Sequence, residues 1–262
     1  MESYEELKAQ MSHIIESINL KGFAVIRDVY SVNDLFSVKN DLFEYISKCT
    51  LSNAIRDVHY LSDGSISSVH NIIDMISSYE KIVDNQRAIS IATACYGKLR
   101  SGHFNSSYFR KPSSPSLATK AHQDNAFFCM KPPESLTFWI PLTDVKFNSP
   151  VYYYTGSHKL GDLDHVMEGN LGASQCLADD AIKSVNLKFK KELISLDVGD
   201  CVVHNSWVVH GSEENRSGVD REAFNFTLTS INAIRDDLMY EEYQDRLTDF
   251  LNKEKSIKSH NV

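Results

Sequence analysis

Apolar residues recur at helical spacing through the first third of the chain and at alternate positions through most of the rest, so helices are expected first and strands afterwards. From Tyr4 to Ser17, Leu7, Met11, Ile14 and Ile15 share one helix face, and Gly22 follows as a stop. Lys21 to Ile26 reads as a strand. Ser31, with Asp34 three residues on, is an N-cap signal for a helix that turns Leu35, Val38, Leu42 and Ile46 inward. Thr50 to Ser68 reads as loop, and Val69 to Tyr96 is helical again by periodicity.

Strands dominate from Leu99 onward. Ile194 to Val203 is a strand-turn-strand pattern with Val198-Gly199-Asp200 as the turn, and its β-branched run leads to His210 near a strand end. Beyond a polar turn, Arg221 to Thr229 alternates with period two. Phe224, Phe226 and Leu228 share one face, suited to a core, while Arg221, Ala223, Asn225 and Thr227 share the other, suited to a polar cavity or to solvent. That segment is expected to double back as the neighbour of the His210 strand. In Tyr152 to Tyr154 the middle ring faces opposite to the other two. The longest break in the strand pattern, 161–191, contains a glycine-bearing stretch from Met167 to Ala173 and a short helix near Ala178 to Ser184. It is either a lid at the mouth of a barrel or peripheral padding. Pro112 to Ser116 reads as a loop beside the site.

The expected architecture is mainly β with flanking helices. It is one domain over 1–262: 1–98 mostly helical support, 99–232 a jelly-roll core, and 233–262 a C-terminal helix. A chain of 262 residues with 42% hydrophobic content can bury one substantial core. A formal charge of -8 argues against nucleic acid or an anionic membrane as the main partner. No apolar run approaches the length of a membrane-spanning helix, and Met1 to Leu20 is amphipathic and acidic rather than a signal sequence, so the cytoplasm is the default location. Cys49, Cys95, Cys129, Cys176 and Cys201 are scattered, with no Cys-x-x-Cys pair, and read as reduced thiols rather than a disulfide or zinc framework.

Candidate chemistry lies in Ala121-His122-Gln123-Asp124-Asn125 and, much later, in Val208-Val209-His210-Gly211-Ser212 followed by Arg221. Two histidines and one carboxylate on one face of a ferrous ion leave the opposite face open, the arrangement of non-haem oxygenases. His122 and Asp124, at i and i+2 of a strand, can reach one ion together, and His210 would complete the set. A lone His-x-Asp is weak evidence; the downstream histidine and arginine strengthen it. An arginine fixed in a cavity holds a carboxylate through two parallel hydrogen bonds.

These residues resemble the phytanoyl-CoA dioxygenase family of Fe(II)- and 2-oxoglutarate-dependent oxygenases. The likeness runs through Lys21 to Ile26, Phe109-Arg110-Lys111-Pro112, His122-Gln123-Asp124, Phe138 to Leu142, Thr155 to Lys159, Gly199-Asp200 and the His210 to Arg221 unit. The resemblance implies a double-stranded β-helix, cupin-like core with Fe(II) held by His122, Asp124 and His210. It implies that Arg221 pairs with the distal carboxylate of 2-oxoglutarate, that Trp139 and Ser212 line that pocket, and that Ser107 and Tyr108 fall near it. It implies that O2 and 2-oxoglutarate are consumed, succinate and CO2 released, and a C–H bond hydroxylated, the carboxylate at Asp124 favouring hydroxylation over halide capture. The chain departs from the pattern at Ser149-Pro150, where a glycine turn is usual, and at Asn205, which leaves His204 displaced by one position and expected to point elsewhere.

Arg110, Lys111 and Lys120 are candidates to meet an anionic group on a small polar substrate, the alternative being solvated charges, and Asn225 is a further substrate contact. His13, His59, His70, His103, His165 and His260 have no partner at ligand spacing and read as structural or surface residues, as does His158 in its turn. Two rival functions are a catalytically silent binding module on the same barrel, and a cupin-like isomerase or hydrolase that uses its metal as a Lewis acid.

Overall fold

The computed structural model describes residues 4–49, 57–61, 63–101, 105–113, 118–146, 149–170 and 173–260. In chain order the strands are β1 (Phe23–Ile26), β2 (Val58–Tyr60), β3 (Ile66–His70), β4 (Asn105–Lys111) and β5 (Thr119–His122). They continue as β6 (Met130–Lys131), β7 (Ser135–Pro141), β8 (Val151–Tyr154), β9 (His165–Asn170) and β10 (Ala173–Leu177). The last are β11 (Lys191–Ile194), β12 (Cys201–Asn205), β13 (His210–Ser212), β14 (Arg221–Thr229) and β15 (Ile234–Arg235). The helices are α1 (Tyr4–Lys21), α2 (Val32–Cys49), α3 (Ile72–Met75), α4 (Glu80–Val83), α5 (Gln86–Tyr96), α6 (Asn125–Phe128), α7 (Asp179–Lys188) and α8 (Asp237–His260).

Two antiparallel sheets make the core. The larger has the order β1-β12-β7-β14-β4-β3-β2 and the smaller the order β11-β8-β13-β5. From β4 the chain passes to β5 in the small sheet, back to β7, across to β8 and β11, and then through β12, β13 and β14 in alternation. This is the winding of a jelly roll.

Register decides what each face carries. β14 sits between β7 and β4, with Arg221 opposite Lys111, Asn225 opposite Ser107 and Trp139, and Thr227 opposite Asn105 and Thr137. This row turns toward the small sheet. The alternate residues, Phe224, Phe226 and Leu228, turn the other way and join Leu136, Phe138, Ile140 and Tyr108 in the main apolar core. Leu35, Val38, Leu42 and Ile46 of α2 pack into that same core. Each buried aliphatic or aromatic side chain there contributes roughly 1.5–3 kcal/mol, so the helices hold the large sheet from behind while its other face stays polar. Ser31 caps α2 as expected, its Oγ accepting from the Asp34 N–H at 3.4 Å.

Val69 to Tyr96 is not one helix. Asn71 adopts a left-handed conformation at φ 56°, Ile76 is extended, and the Asn85 side chain accepts from the Arg87 and Ala88 N–H groups to start α5. The chain is therefore cut into short helical pieces, although Ile72, Tyr79, Ile82, Val83 and Ile91 still share the core. Thr50 to Ser68 includes β2 and most of β3 rather than loop alone; 50–56 and 62 lie outside the described residues. The 161–191 segment is the β9–β10 hairpin followed by α7, inserted between the paired strands β8 and β11. Within it, 171–172 lie outside the described residues, as do His103 and 114–116 of the expected Pro112 to Ser116 loop. The Val198-Gly199-Asp200 turn forms as expected, with Gly199 at φ 102°. The Asp200 carboxylate accepts from the Asp197 N–H and pairs with Arg27 at 2.5 Å, which ties the end of β1 to the start of β12.

Candidate metal centre and anion pocket

β5 ends at His122 and β13 begins at His210, and the two histidines are direct partners across the antiparallel pair. Their ring centroids lie 4.4 Å apart. His210 thus opens a strand instead of ending one, because Ser206 to Val209 carry the chain from the large sheet to the small. Asp124 is not on the strand either. It is the N-cap residue of α6, in helical backbone conformation, so a turn past the strand end brings its carboxylate back to the histidine pair, not strand alternation.

Asp124 Oδ1 lies 3.5 Å from His210 Nε2 and 3.9 Å from His122 Nε2. The ligand atoms of His122, Asp124 and His210 all fall within 4.8 Å of one another, close enough to share one ion. His122 Nδ1–H donates to the Lys120 carbonyl at 2.8 Å and His210 Nδ1–H to the Val208 carbonyl at 3.0 Å. Each imidazole therefore keeps its Nε2 lone pair facing the carboxylate, the tautomer a metal ligand needs. Burial, and then the neighbouring histidines, hold His210 well below its ordinary value, and burial also lowers His122. Burial alone would raise the Asp124 carboxyl, but nearby His210 and the hydrogen bond from His204 outweigh it and keep it ionised. Two neutral imidazoles and a carboxylate are a donor set that suits a ferrous ion.

A second cluster faces the same interior. Lys111 Nζ donates to Ser212 Oγ at 2.7 Å and to Thr119 Oγ1 at 3.1 Å. Arg221 Nη2 donates to the same Ser212 Oγ at 3.0 Å, and Nη1 to the Ser149 carbonyl at 3.2 Å. β14 is not the neighbour of β13: it lies in the opposite sheet, and Arg221 reaches Ser212 across the interior. Both cations are 8% exposed, and among the described residues neither makes an ion pair. Burial and then Arg221 pull the Lys111 ammonium down to about 6, and burial pulls Arg221 down to about 10. Burying two cationic side chains side by side is costly unless an anion joins them, and the pair with its serine offers donors that an anion such as a carboxylate can accept from. The Trp139 ring forms one wall, 5.9 Å from the Arg221 guanidinium carbon.

Ser107 and Asn225 lie on the inward row of the large sheet, between the two clusters. Ser107 Oγ is 2.9 Å from His70 Nδ1 and donates to Asn105 Oδ1 at 3.1 Å. Asn225 is 8% exposed and its Oδ1 is buried without a hydrogen-bond partner. Tyr108 is not brought to the site. It faces the helices, where its hydroxyl donates to Glu222 at 2.6 Å and its ring packs against Phe43 and Phe224. Arg110 is also turned away: it pairs with Asp220 at 2.6 Å and lines an outer cleft with Phe43, Ile46 and Tyr60. Lys120 pairs with Glu168 at the surface. Neighbours on a strand point to opposite faces, so Ser107 and Lys111 enter the interior while Tyr108 and Arg110 leave it.

His204 does not point elsewhere. It is 2% exposed on the inward face of β12, with Nε2 3.0 Å from Asp124 Oδ2 and its ring centroid 4.4 Å from that of His210. Tyr153 also turns inward, stacking on Phe23 and His210, while Tyr152 and Tyr154 face the cluster under α7, as alternation predicts.

Eight strands wound over two sheets around a His-Asp-His set define a cupin-like jelly roll of the kind found in iron oxygenases. Residues 18–223 match the phytanoyl-CoA dioxygenase family, and the chain belongs to it. SnoK, a non-heme alpha-ketoglutarate-dependent carbocyclase from nogalamycin biosynthesis, is 20% identical with a TM-score of 0.67, over 85% of each chain. EctD from S. alaskensis, solved with bound Fe, is 13% identical with a TM-score of 0.69, over 84% of this chain and 76% of that one. ThoJ, a non-heme monooxygenase, is 18% identical with a TM-score of 0.67, over 85% of this chain and 79% of that one. These likenesses show the fold. A search of curated protein sequences returns no match.

Proposed function

We propose that this chain is an Fe(II)- and 2-oxoglutarate-dependent oxygenase that hydroxylates an unactivated C–H bond of a small, polar metabolite. The observation that carries it is the pair of buried cations, Lys111 and Arg221, facing the same interior as His122, Asp124 and His210. A Lewis-acid enzyme or a binding module needs the metal ligands but not an unpaired carboxylate receptor beside them.

In this reading His122, Asp124 and His210 hold one face of the ion. Arg221, Lys111 and Ser212 take the distal carboxylate of 2-oxoglutarate, and Trp139 walls that arm. When bound, Fe(II), 2-oxoglutarate and O2 together supply the oxidant, with succinate and CO2 as by-products. The substrate meets Asn225 and Ser107 on the row between the clusters. His70 stands behind Ser107 and is held down to about 4 by burial, so this wall is neutral at physiological pH. With both interior cations committed to the co-substrate, an uncharged substrate with hydroxyl or amide groups fits better than an anionic one.

The test is succinate formation from 2-oxoglutarate during a screen of small polar metabolites, repeated without O2, with 18O2 used on any hit. The expected result is O2-dependent succinate and one labelled oxygen in the product. Turnover that persists without O2 and 2-oxoglutarate would contradict the class. An unlabelled cyclised or epimerised product would contradict hydroxylation alone.

A further inference from the structure

The Asp124 carboxylate is held by more than its place in the chain. Its Oδ2 accepts two hydrogen bonds, from Thr137 Oγ1 at 2.7 Å and from His204 Nε2 at 3.0 Å. An ionised carboxylate can accept but not donate, so Nε2 of His204 carries a hydrogen. The Tyr153 hydroxyl lies 3.0 Å from His204 Nδ1 and holds the ring from its other side. Tyr153 is itself fixed between the Phe23 ring, stacked at 4.4 Å, and the His210 ring at 5.5 Å. Three strands from both sheets thus converge on one oxygen: β7 through Thr137, β12 through His204, and β8 through Tyr153 behind it. The other oxygen, Oδ1, faces His122 and His210.

We propose that His204, its ring held in place by Tyr153, is a positioning residue that makes Asp124 a one-oxygen ligand; this rests on the metal centre assigned above. With Oδ2 occupied by two donors, the carboxylate would offer Oδ1 alone to an ion held with His122 and His210. Without His204 the carboxylate loses one of its two restraints, is free to rotate about the Cβ–Cγ bond, and can chelate the ion through both oxygens. The nearness of the His204 and His210 rings raises the alternative that His204 is itself a ligand. Its geometry opposes this, because Nε2 is directed at Oδ2 and Nδ1 at Tyr153.

The test is anaerobic titration of the full chain with Co(II), whose ligand-field absorption reports coordination number, on wild type, His204→Leu, His204→Gln and Tyr153→Phe, with thermal melting to confirm folding. His204→Leu keeps the bulk and removes the donor; glutamine can place an amide nitrogen near the position of Nε2. The expected result is a roughly 10- to 100-fold loss of Co(II) affinity in His204→Leu with an altered spectrum. Recovery of most of the affinity and of the wild-type spectrum is expected in His204→Gln. Tyr153→Phe, which leaves the carboxylate contacts in place, should fall between wild type and His204→Leu. Wild-type affinity and spectrum in His204→Leu would overturn the role of His204 while leaving the metal centre standing. A His204→Gln variant as weak as His204→Leu, with the spectrum of one lost imidazole, would make His204 a ligand and overturn the proposal. Wild-type protein that binds no Co(II) would overturn this proposal and the metal centre together.

Discussion

Lys111 and Arg221 divide the work of holding an anion differently. Arg221 offers a planar fork that stays charged, whereas Lys111 is held down to about 6 by burial and then by Arg221. A carboxylate placed between them favours the charged lysine, so its value rises and the protein takes up a proton on binding. Calorimetric titration with 2-oxoglutarate at pH 7.5, in buffers of different ionisation enthalpy, should show that uptake, and Lys111→Met should abolish it. Arg221→Ala should weaken 2-oxoglutarate binding by roughly 10- to 100-fold, the loss of charge-assisted hydrogen bonds of about 1.5–3 kcal/mol, while leaving Co(II) affinity unchanged. Unchanged co-substrate affinity in Arg221→Ala would remove it from the anchor. In free protein the sign is also fixed. The native state binds fewer protons at Lys111 than the unfolded chain between about pH 6 and the ordinary lysine value, so its burial costs stability increasingly as pH falls through that window. His122, Asp124 and His210 are legible in sequence as candidates because they sit in two short runs, and Arg221 because it follows the second across a polar turn. Strand parity also separates Ser107 from Tyr108 and Lys111 from Arg110, but it chooses the inward member only once β14 pairs with β4. His204 and Tyr153 were not legible as site residues, since a crossing between sheets, with no local signature, brings them to Asp124.

At the scale of elements, the site depends on how closely β13 lies against its neighbours. Gly211 separates His210 from Ser212, one member of each cluster. A Cβ built there would sit 2.5 Å from the Tyr152 hydroxyl oxygen and 2.6 Å from the Thr119 carbonyl of β5. The carbonyl belongs to the backbone that also carries His122, so it cannot yield without moving a proposed ligand. Gly211→Ala should therefore cost about 1–3 kcal/mol and weaken Co(II) binding at the same time. A melting temperature and metal affinity equal to wild type would show that the contact is slack. The elements themselves were readable where period and cap agreed, as in α2 and β14. Periodicity misleads where apolar spacing continues through chain breaks: Val69 to Tyr96 keeps helical periodicity across Asn71 and Ile76, whose backbones are not helical. His210 begins its strand although β12 and β13 read as one run, because four residues between them change sheets.

The whole molecule puts its stability and its chemistry on opposite faces of one sheet. Helices α1, α2 and α5 pack behind the seven-stranded sheet, and its other face, rich in serine, threonine, asparagine and charged groups, looks across to the four-stranded sheet. The order of helices before strands, the alternation in β14 and the insertion at 161–191 carried this architecture in the sequence. What the sequence could not carry was depth, because which polar row is buried follows from the pairing of distant strands. Among the described residues no helix is long and apolar enough to cross a membrane. The central claim is that one interior holds both a ferrous ion and 2-oxoglutarate. Its most direct test is an anaerobic absorption titration of the apo protein with Fe(II) and then 2-oxoglutarate, with Asp124→Ala and Arg221→Ala beside it. A metal-to-ligand charge-transfer band should develop in the wild type, be lost or strongly reduced in Asp124→Ala, and require far more 2-oxoglutarate in Arg221→Ala. Folded wild-type protein that binds Fe(II) yet develops no band at saturating 2-oxoglutarate would contradict the account.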